Sequence, residues 1–149
     1  MSLKDQLAED LKDAMRQGEE SRKSALRMAI AAVKNAEVAA MKQFGDAEII
    51  AVIAKQAKQR RESIEEFRKA NRQDLVDIEA AELKVLETYL PAQMSPEDVI
   101  AAARKVVEEI GAKGPSDKGR VMAALMPRLA GQADGKTVNE VVTELLTNL

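Results

Sequence analysis

The chain has 149 residues, of which 46% are hydrophobic, and its 23 basic and 25 acidic residues leave a formal net charge of −2. It has no cysteine and no histidine, which excludes disulfides, cysteine nucleophiles, histidine general bases and the usual zinc ligand sets. This charge balance argues against strong nonspecific binding of nucleic acid, which usually requires a basic excess, but not against a local basic patch.

The amino terminus lacks the long apolar region of a signal peptide, and no apolar run reaches the roughly 18 residues that a membrane span needs. We therefore expect a cytoplasmic protein with no membrane partner, no metal and no other cofactor. The core must be aliphatic, because the aromatic residues are only Phe44, Phe67 and Tyr89.

Helical periodicity extends through nearly the whole chain, and no stretch alternates in the manner of a strand. In the first part of the chain, the apolar pattern and the capping residues predict four helices, over about residues 2–18, 19–44, 47–72 and 75–90. Gly45 is expected to end the second helix. Ile78 is expected on the apolar face of the fourth.

Residues 91–94 have the composition of a linker. Ser95 and the proline after it then begin a fifth helix, since serine is a strong cap and proline is favoured at the first helical position. A sixth helix is expected after Pro115 and a seventh after Thr137. The sequence thus predicts an all-α protein of two helical bundles: a four-helix part with long helices over residues 1–91 and a three-helix part over residues 95–149.

No arrangement of side chains in the sequence indicates catalysis. Adjacent carboxylates such as Glu65 and Glu66 diverge by about 100° around a helix, so they do not converge on a substrate or a metal. The serines have no general base to activate them. We therefore predict no catalytic residue.

The third predicted helix carries a basic stripe, formed by Lys55, Lys58, Arg61, Arg68 and Arg72. From residue 55 to residue 72, seven basic residues outnumber three acidic ones, which leaves a net charge of +4 over 18 residues. Such a stripe can follow a few phosphates, and its candidate contacts are Lys58, Arg61 and Arg68. The alternative is a solvent-exposed face on which the cations pair with neighbouring glutamates. Base stacking is not expected, since no aromatic residue is interleaved.

The most distinctive stretch lies between residues 116 and 139, where two short amphipathic segments flank a glycine-containing turn. Ser116 or Asp117 is expected to cap the first segment, and Thr137 the second. Helix starts present backbone N–H groups that favour anions, so nearby cations predict a small anion-binding surface. Its candidate residues are Gly119, Arg120, Arg128, Gly131, Gly135 and Lys136. The alternative is structural: Gly119 permits close helix packing, while Gly131 and Gly135 are turn residues.

Several runs of the sequence resemble the GatB/YqeY family. In the tail these are Gly119-Arg120-Val121-Met122, residues 131–136 and residues 138–142; upstream they are residues 58–64 and 89–93. The similarity covers nearly all of the chain, and the length suits a stand-alone member of the family.

The resemblance implies two helical bundles, the smaller of which is similar to the tail of the B subunit of the glutamine-dependent aspartyl/glutamyl-tRNA amidotransferase. In that enzyme the tail helps to hold tRNA, while the chemistry lies in other parts. By resemblance, this chain is linked to a carbon–nitrogen ligase as an accessory or tRNA-binding module without the catalytic cradle. The motif positions carried over are Gly119, Arg120, Gly131, Asp134, Gly135 and Lys136.

The sequence departs from the family's pattern at three places. Ala130-Gly131-Gln132 stands where Lys-Gly-Arg is expected, which removes two cations. Lys118 occupies a position that is more usually apolar, and Arg120 one that is usually lysine.

Two hypotheses follow. The first is a non-catalytic helical protein that binds tRNA, or a tRNA-handling enzyme, through its tail. The second is a protein-interaction adaptor without nucleic-acid contact, suggested by the acidic net charge and by an alanine-rich face on the second helix. Its members are Ala31, Ala32, Ala36, Ala39 and Ala40. The sequence does not specify an oligomeric state.

Overall fold

The computed structural model describes residues 1–129 and 131–149, and these residues form seven α-helices and no β-strand. The helices are α1 (Leu3–Gln17), α2 (Glu20–Ala40), α3 (Asp46–Lys69), α4 (Gln73–Glu87), α5 (Pro96–Ile110), α6 (Lys118–Leu125) and α7 (Gly135–Thr147). Short 3-10 turns cover Pro115–Asp117 and Met126–Leu129. The predicted all-α class is confirmed. Ala130, one of the departures from the family's pattern, lies outside the described residues.

The Cα positions divide the chain into two compact units, Met1–Leu90 and Pro91–Leu149. We call them the N-terminal unit, which contains α1 to α4, and the tail unit, which contains α5 to α7. Each unit has an aliphatic core of its own. That the two units are the two separate domains expected from the sequence stays a prediction.

The core of the N-terminal unit combines large aliphatic side chains with fully buried alanines. Alanine at these positions lets neighbouring helices approach closely, because its side chain adds little width to the helix surface. The buried large residues are Leu7, Leu26, Ile49, Ile53 and Leu86, and the buried alanines are Ala14, Ala25, Ala29 and Ala57.

Several helix ends follow the predicted signals. The Ser2 hydroxyl accepts the Asp5 N–H at 3.1 Å, and the Ser95 hydroxyl accepts the Asp98 N–H at 3.2 Å, so both serines cap their helices. Gly18 ends α1 with φ 66°, a left-handed conformation that glycine adopts without strain.

The end of α2 differs from the prediction. The helix stops at Ala40, and Met41 adopts the left-handed conformation with φ 57°. The carboxylate of Glu37 then accepts the Phe44 N–H at 2.7 Å, which turns the chain away from the helix axis. Gly45 therefore precedes α3 as its N-cap and does not end α2.

Two further predictions for this unit were wrong. The Ile78 side chain is 53% exposed and points away from the core. The face of α4 that is buried instead contains Val76, Glu82 and Leu86. The third helix ends at Lys69, short of the predicted residue 72, because Asn71 turns the backbone into the left-handed region at φ 56°.

An ion cluster joins three helices of the N-terminal unit. Glu82 is only 6% exposed, and its carboxylate accepts the Ser24 hydroxyl at 2.9 Å. Arg60 Nε lies 3.4 Å from the other oxygen of Glu82, and Arg60 Nη1 donates to Glu79 at 3.2 Å. A buried carboxylate is tolerable only with such partners, so Arg60 holds α3 against α4 by balancing two negative charges.

Tyr89, just after α4, fixes the chain against α1. Its hydroxyl donates to Asp10 Oδ2 at 2.5 Å. Burial, with the nearby Asp10 carboxylate, raises the pKa of Tyr89 above its usual range. Arg22 lies beside the same carboxylate, with Nη2 at 3.7 Å from Asp10 Oδ1, so α2 is connected to this cluster as well.

The tail unit has a valine-rich core between its three helices. The buried residues are Val99, Ala103, Val106 and Val107 on α5, Val121 and Leu125 on α6, and Val138, Val142 and Leu146 on α7. Because core side chains are buried on all three helices, their packing determines the positions of the helix ends and of the charged side chains near those ends.

We expect Arg60→Met to destabilise the N-terminal unit by about 3 kcal/mol, because it leaves the buried Glu82 carboxylate without its cation. Urea unfolding followed by circular dichroism measures the loss. Arg68→Met is the matched control, since Arg68 pairs with Glu65 at the surface, with both side chains about 60% exposed. The double variant Arg60→Met/Glu82→Met should recover much of the stability; equal effects of the two single variants would contradict the assignment.

Candidate nucleic-acid interface

The start of α6 is organised by Asp117. This residue is the N-cap of α6, but its carboxylate makes no capping hydrogen bond to that helix. It accepts the Lys113 N–H at 2.8 Å and Arg120 Nη1 at 3.2 Å instead. Of the two predicted caps, Asp117 therefore occupies the position, and it also orients a candidate cation.

The start of α7 differs from the prediction. The helix begins at Gly135 with Asp134 as its N-cap, and Asp134 accepts the Lys136 N–H at 3.4 Å. Thr137 was predicted to be the cap and instead lies within the first turn of α7. Asp134 takes the role because its extended backbone, with φ −73° and ψ 137°, directs the chain into the helix.

Arg120 and Arg128 both contact the last turn of α5. Arg120 Nη2 donates to the Ile110 carbonyl at 3.2 Å, and Arg128 Nη2 donates to Glu109 Oε2 at 2.8 Å. The Arg128 guanidinium holds the pKa of Glu109 below its usual range, and Glu109 in turn raises the pKa of Arg128. Both arginine side chains stay at least half exposed, at 62% and 50%. They complement the partial negative charge at this helix end and remain open to solvent.

The turn before α7 is attached to the segment that enters α5. Gly131 has φ 75°. Its carbonyl accepts the Gln93 side-chain amide at 2.9 Å, and the Gln132 carbonyl accepts the Met94 N–H at 2.9 Å. Hydrogen bonds thus connect this turn to the entry of α5, whereas the two arginines contact its exit. The 15 residues of α5 separate these ends by about 22 Å at about 1.5 Å per residue.

Lys136 lies in the first turn of α7 and is exposed. Its ammonium group makes no hydrogen bond or ion pair with the residues that the structure describes. It therefore differs from Arg120 and Arg128, whose guanidinium groups already bind protein acceptors. An incoming anion would meet the charge of Lys136 without first displacing an internal partner.

The three candidate glycines have different environments. Gly119 is exposed on α6, and a Cβ added there would meet no atom within 4 Å, so the interpretation that it permits close helix packing is wrong. A Cβ on Gly135 would lie 3.6 Å from Met126 Cε, an ordinary contact. Only Gly131, at positive φ, has a conformation that requires glycine.

The residues of the basic stripe in the N-terminal unit have different environments in the structure. Lys58 is exposed, Arg61 is half-buried, and Arg68 donates to Glu65 at 2.6 Å. Arg72 lies beyond the end of α3 and binds Asp74 through two nitrogens, at 3.1 and 3.0 Å. Arg68 and Arg72 thus have local partners of the kind that a charged solvent face predicts. Phosphate contact by Lys58, Arg61 and Arg68 stays a prediction.

Within residues 1–129 and 131–149, no group of three or more acidic side chains is placed to hold a metal ion. Across the same residues, no helix combines the length and apolarity needed to cross a membrane.

The model of the Yqey-like protein family matches residues 4–146. The chain belongs to this family. The match extends through α1 to α7 apart from the outermost residues, so family membership covers both units.

Curated relatives align with most of this chain and with a smaller share of their own length. A protein of Pyrenophora tritici-repentis is 33% identical over 146 residues, covering 94% of this chain and 78% of its own length. One of Kluyveromyces lactis is 33% identical over 135 residues, covering 89% and 69%. One of Meyerozyma guilliermondii is 32% identical over 142 residues, covering 94% and 74%. All three are named altered inheritance of mitochondria protein 41, mitochondrial; that location is stated for those proteins.

Three contacts that organise the tail unit of this family member were not predicted from the sequence. Gln93 binds the Gly131 carbonyl, Glu109 binds Arg128, and Asp117, predicted only as a possible cap, orients Arg120. Asp117 lies three residues before Arg120, a spacing that brings side chains together on a helix. Glu109 and Arg128 are 19 residues apart, and no local pattern indicates their contact.

We expect Gly119→Ala to stabilise the protein by about 0.5–1 kcal/mol, because the added methyl group meets open space and alanine is the better helix former. Gly131→Ala should destabilise it by about 1–2 kcal/mol, since the left-handed backbone strains a residue with a Cβ. Thermal unfolding of both variants checks the pair. A loss of stability in Gly119→Ala would show that this glycine is required by the fold.

Proposed function

We propose that this chain is a non-catalytic helical protein that binds tRNA, or a tRNA-handling enzyme, through its tail unit. The observation that carries the proposal is the solvent-exposed cations at the helix ends of that unit, above all the unengaged ammonium group of Lys136. Membership of the Yqey-like family supports it, as does the resemblance of the tail to that of the amidotransferase B subunit.

The charges favour a modest, salt-sensitive interaction with phosphate groups. Arg120, Arg128 and Lys136 can neutralise about three phosphates, so log K should fall with log salt at a slope of about −3 or shallower. The net charge of the whole chain is −2, so long-range attraction adds little to these contacts. Recognition in this form follows the shape and backbone of the RNA, because the tail unit has no aromatic side chain on which bases could stack.

The proposal assigns bond-making chemistry to the partner. The chain has no histidine or cysteine, and the carboxylate that lies beside the Ser24 hydroxyl, that of Glu82, is already paired with Arg60 in the buried ion cluster. In this proposal, the chain delivers or positions tRNA for a carbon–nitrogen ligase. The cytoplasmic location stays a prediction.

We expect the double variant Arg120→Ala/Lys136→Ala to weaken the binding of labelled tRNA and to reduce the salt slope by about two, one for each lost phosphate contact. Fluorescence polarisation at low and moderate salt measures both quantities on the full chain. Arg16→Ala/Lys84→Ala is the matched control, as it removes the same two residue types from exposed positions of the N-terminal unit. Absence of salt-sensitive binding by the native chain at concentrations on the order of micromolar would refute the proposal.

We expect Glu109→Gln to strengthen tRNA binding, because the Arg128 guanidinium loses the carboxylate that neutralises it at 2.8 Å. Glu97→Gln gives the same change in net charge at an exposed residue in the first turn of α5 and serves as the control. An equal gain from both variants would show only a general charge effect and would remove Arg128 from the binding surface.

The adaptor remains the second candidate, favoured by the exposure of Ala31, Ala39 and Ala40 on α2. Small side chains on an exposed helix face allow another helix to approach closely. A pull-down from lysate, with and without nuclease treatment, separates the two functions. A partner retained after nuclease treatment favours the adaptor, and a partner lost with the RNA favours the tail proposal.

A further inference from the structure

A groove of about 590 Å³ runs between the first half of α1 and the second half of α2. We call it the α1–α2 groove. Its wall on α1 contains Leu7 and Ala8. Its wall on α2 is one helix face, on which Ile30, Val33, Glu37 and Met41 follow at spacings of three and four residues and Val38 lies next to Glu37. Side chains three and four residues apart share one helix face, so the groove is continuous along the helix axis.

The outer end of the groove exposes apolar side chains to water. Val38 is 70% exposed and Met41 is 91% exposed. Leu7 and Val33, deeper in the groove, are buried in the core of the unit. The apolar surface therefore continues from the core to solvent along one line, the arrangement expected of a surface that another apolar face covers.

Met41 occupies a left-handed position at a helix end, where this chain uses glycine after α1 and α5. Gly18 ends α1 at φ 66°, Gly111 ends α5 at φ 72°, and Met41 ends α2 at φ 57°. A residue with a Cβ is strained in this conformation, whereas glycine is not. The methionine thus holds a long, adaptable apolar side chain at the end of the groove against a backbone cost, and strain of this kind accompanies functional positions.

The rim of the groove is positively charged. Three lysines line it, Lys4, Lys34 and Lys42, against one carboxylate, Glu37. Glu37 Oε2 accepts Lys4 Nζ at 2.5 Å and the Phe44 N–H at 2.7 Å, and these donors lower the pKa of Glu37. Lys42 pairs with Glu48 at 2.9 Å. The Lys34 ammonium makes no ion pair or hydrogen bond within the described part of the chain, so its charge is available to a partner.

We propose that the α1–α2 groove binds an amphipathic helix of a partner protein, with an apolar face toward Val33, Val38 and Met41 and with acidic residues toward the lysines. A helix fits because the groove is formed by two helices, and the ridge of a third packs between them. The face from Ile30 to Met41 extends about 17 Å, which matches about three turns of the partner. Acidic flanks follow from the rim, where lysines outnumber carboxylates and the Lys34 ammonium has no internal partner within the described part of the chain. This proposal is independent of tRNA binding by the tail unit.

The test uses the full chain and a synthetic probe. The probe is a labelled amphipathic peptide of about four turns, with leucine along one face and glutamate on both flanks. The matched probe has lysine in place of every glutamate. We expect the acidic probe to bind with a Kd of about 10–100 µM and the basic probe to bind at least about tenfold more weakly, by fluorescence polarisation.

Single substitutions locate the site. Val38→Asp and Lys34→Glu should each weaken binding of the acidic probe by about tenfold or more, because both residues are exposed and lie on the groove. Ile78→Asp and Lys84→Glu make the same chemical changes at exposed positions of α4 and should leave binding unchanged. Equal losses from both sets would overturn the site.

Met41→Gly separates binding from folding. Glycine relieves the left-handed backbone, so the thermal midpoint should not fall, while loss of the apolar side chain should weaken binding of the acidic probe several-fold. A lowered midpoint with unchanged probe binding would show that Met41 serves the fold alone and would contradict the proposal.

Two other occupants of the α1–α2 groove would give different experimental results. A concentration-dependent dimer that Val38→Asp abolishes would assign the groove to a second copy of the chain, and sedimentation velocity detects it. Competition of the acidic probe by laurate, with no discrimination between the acidic and basic probes, would assign the groove to a single-chain anionic lipid. Either result overturns the partner-helix proposal, as does absence of binding of the acidic probe at about 1 mM.

Discussion

Close contact between helices through buried alanine is the constraint on which the N-terminal unit depends. Ala14, Ala25, Ala29 and Ala57 are at most 1% exposed, so at these positions α1, α2 and α3 bury a methyl group and not a larger side chain. Such contacts fix the rotation of each helix, since turning one by a single residue would bring a larger side chain into the gap. The orientation of the charged and apolar outer faces follows from this packing, and the candidate binding surfaces lie on those faces.

The helical class was predictable because every apolar stripe repeats at the period of a helix, and strong caps such as Ser2 and Ser95 mark their starts. Helix ends without glycine were less predictable. Met41 and Asn71 take the left-handed conformation through tertiary context, which residue type alone does not indicate. Ile78 follows the apolar period but faces solvent, because the pattern does not report which stripe meets a neighbour. Glu82 shows the converse, a charge buried by partners on other helices.

The candidate binding site in the tail was partly predictable. The sequence contains the cations and the turn, and helix periodicity places them near helix ends. The sequence does not predict the pairing of Arg128 with Glu109 or the hydrogen bond from Arg120 to the Ile110 carbonyl, because these contacts depend on how α5 packs against the segment from α6 to residue 129. Thr137 was a plausible cap by residue type, yet the backbone direction at Asp134 decided where α7 begins. The sequence therefore shows which residues are charged, but the tertiary structure decides which of those charges a partner can reach.

The exposed thioether of Met41 has a chemical consequence. The chain has seven methionines and no cysteine, so thioethers are its only oxidisable sulfur. Met41 is 91% exposed, and a peroxide would reach it readily. Conversion to the sulfoxide would place a polar, hydrogen-bond-accepting group at the outer end of the α1–α2 groove, and enzymatic reduction would restore the original surface. Oxidation at Met41 would therefore change the surface of the α1–α2 groove and leave the buried core unchanged.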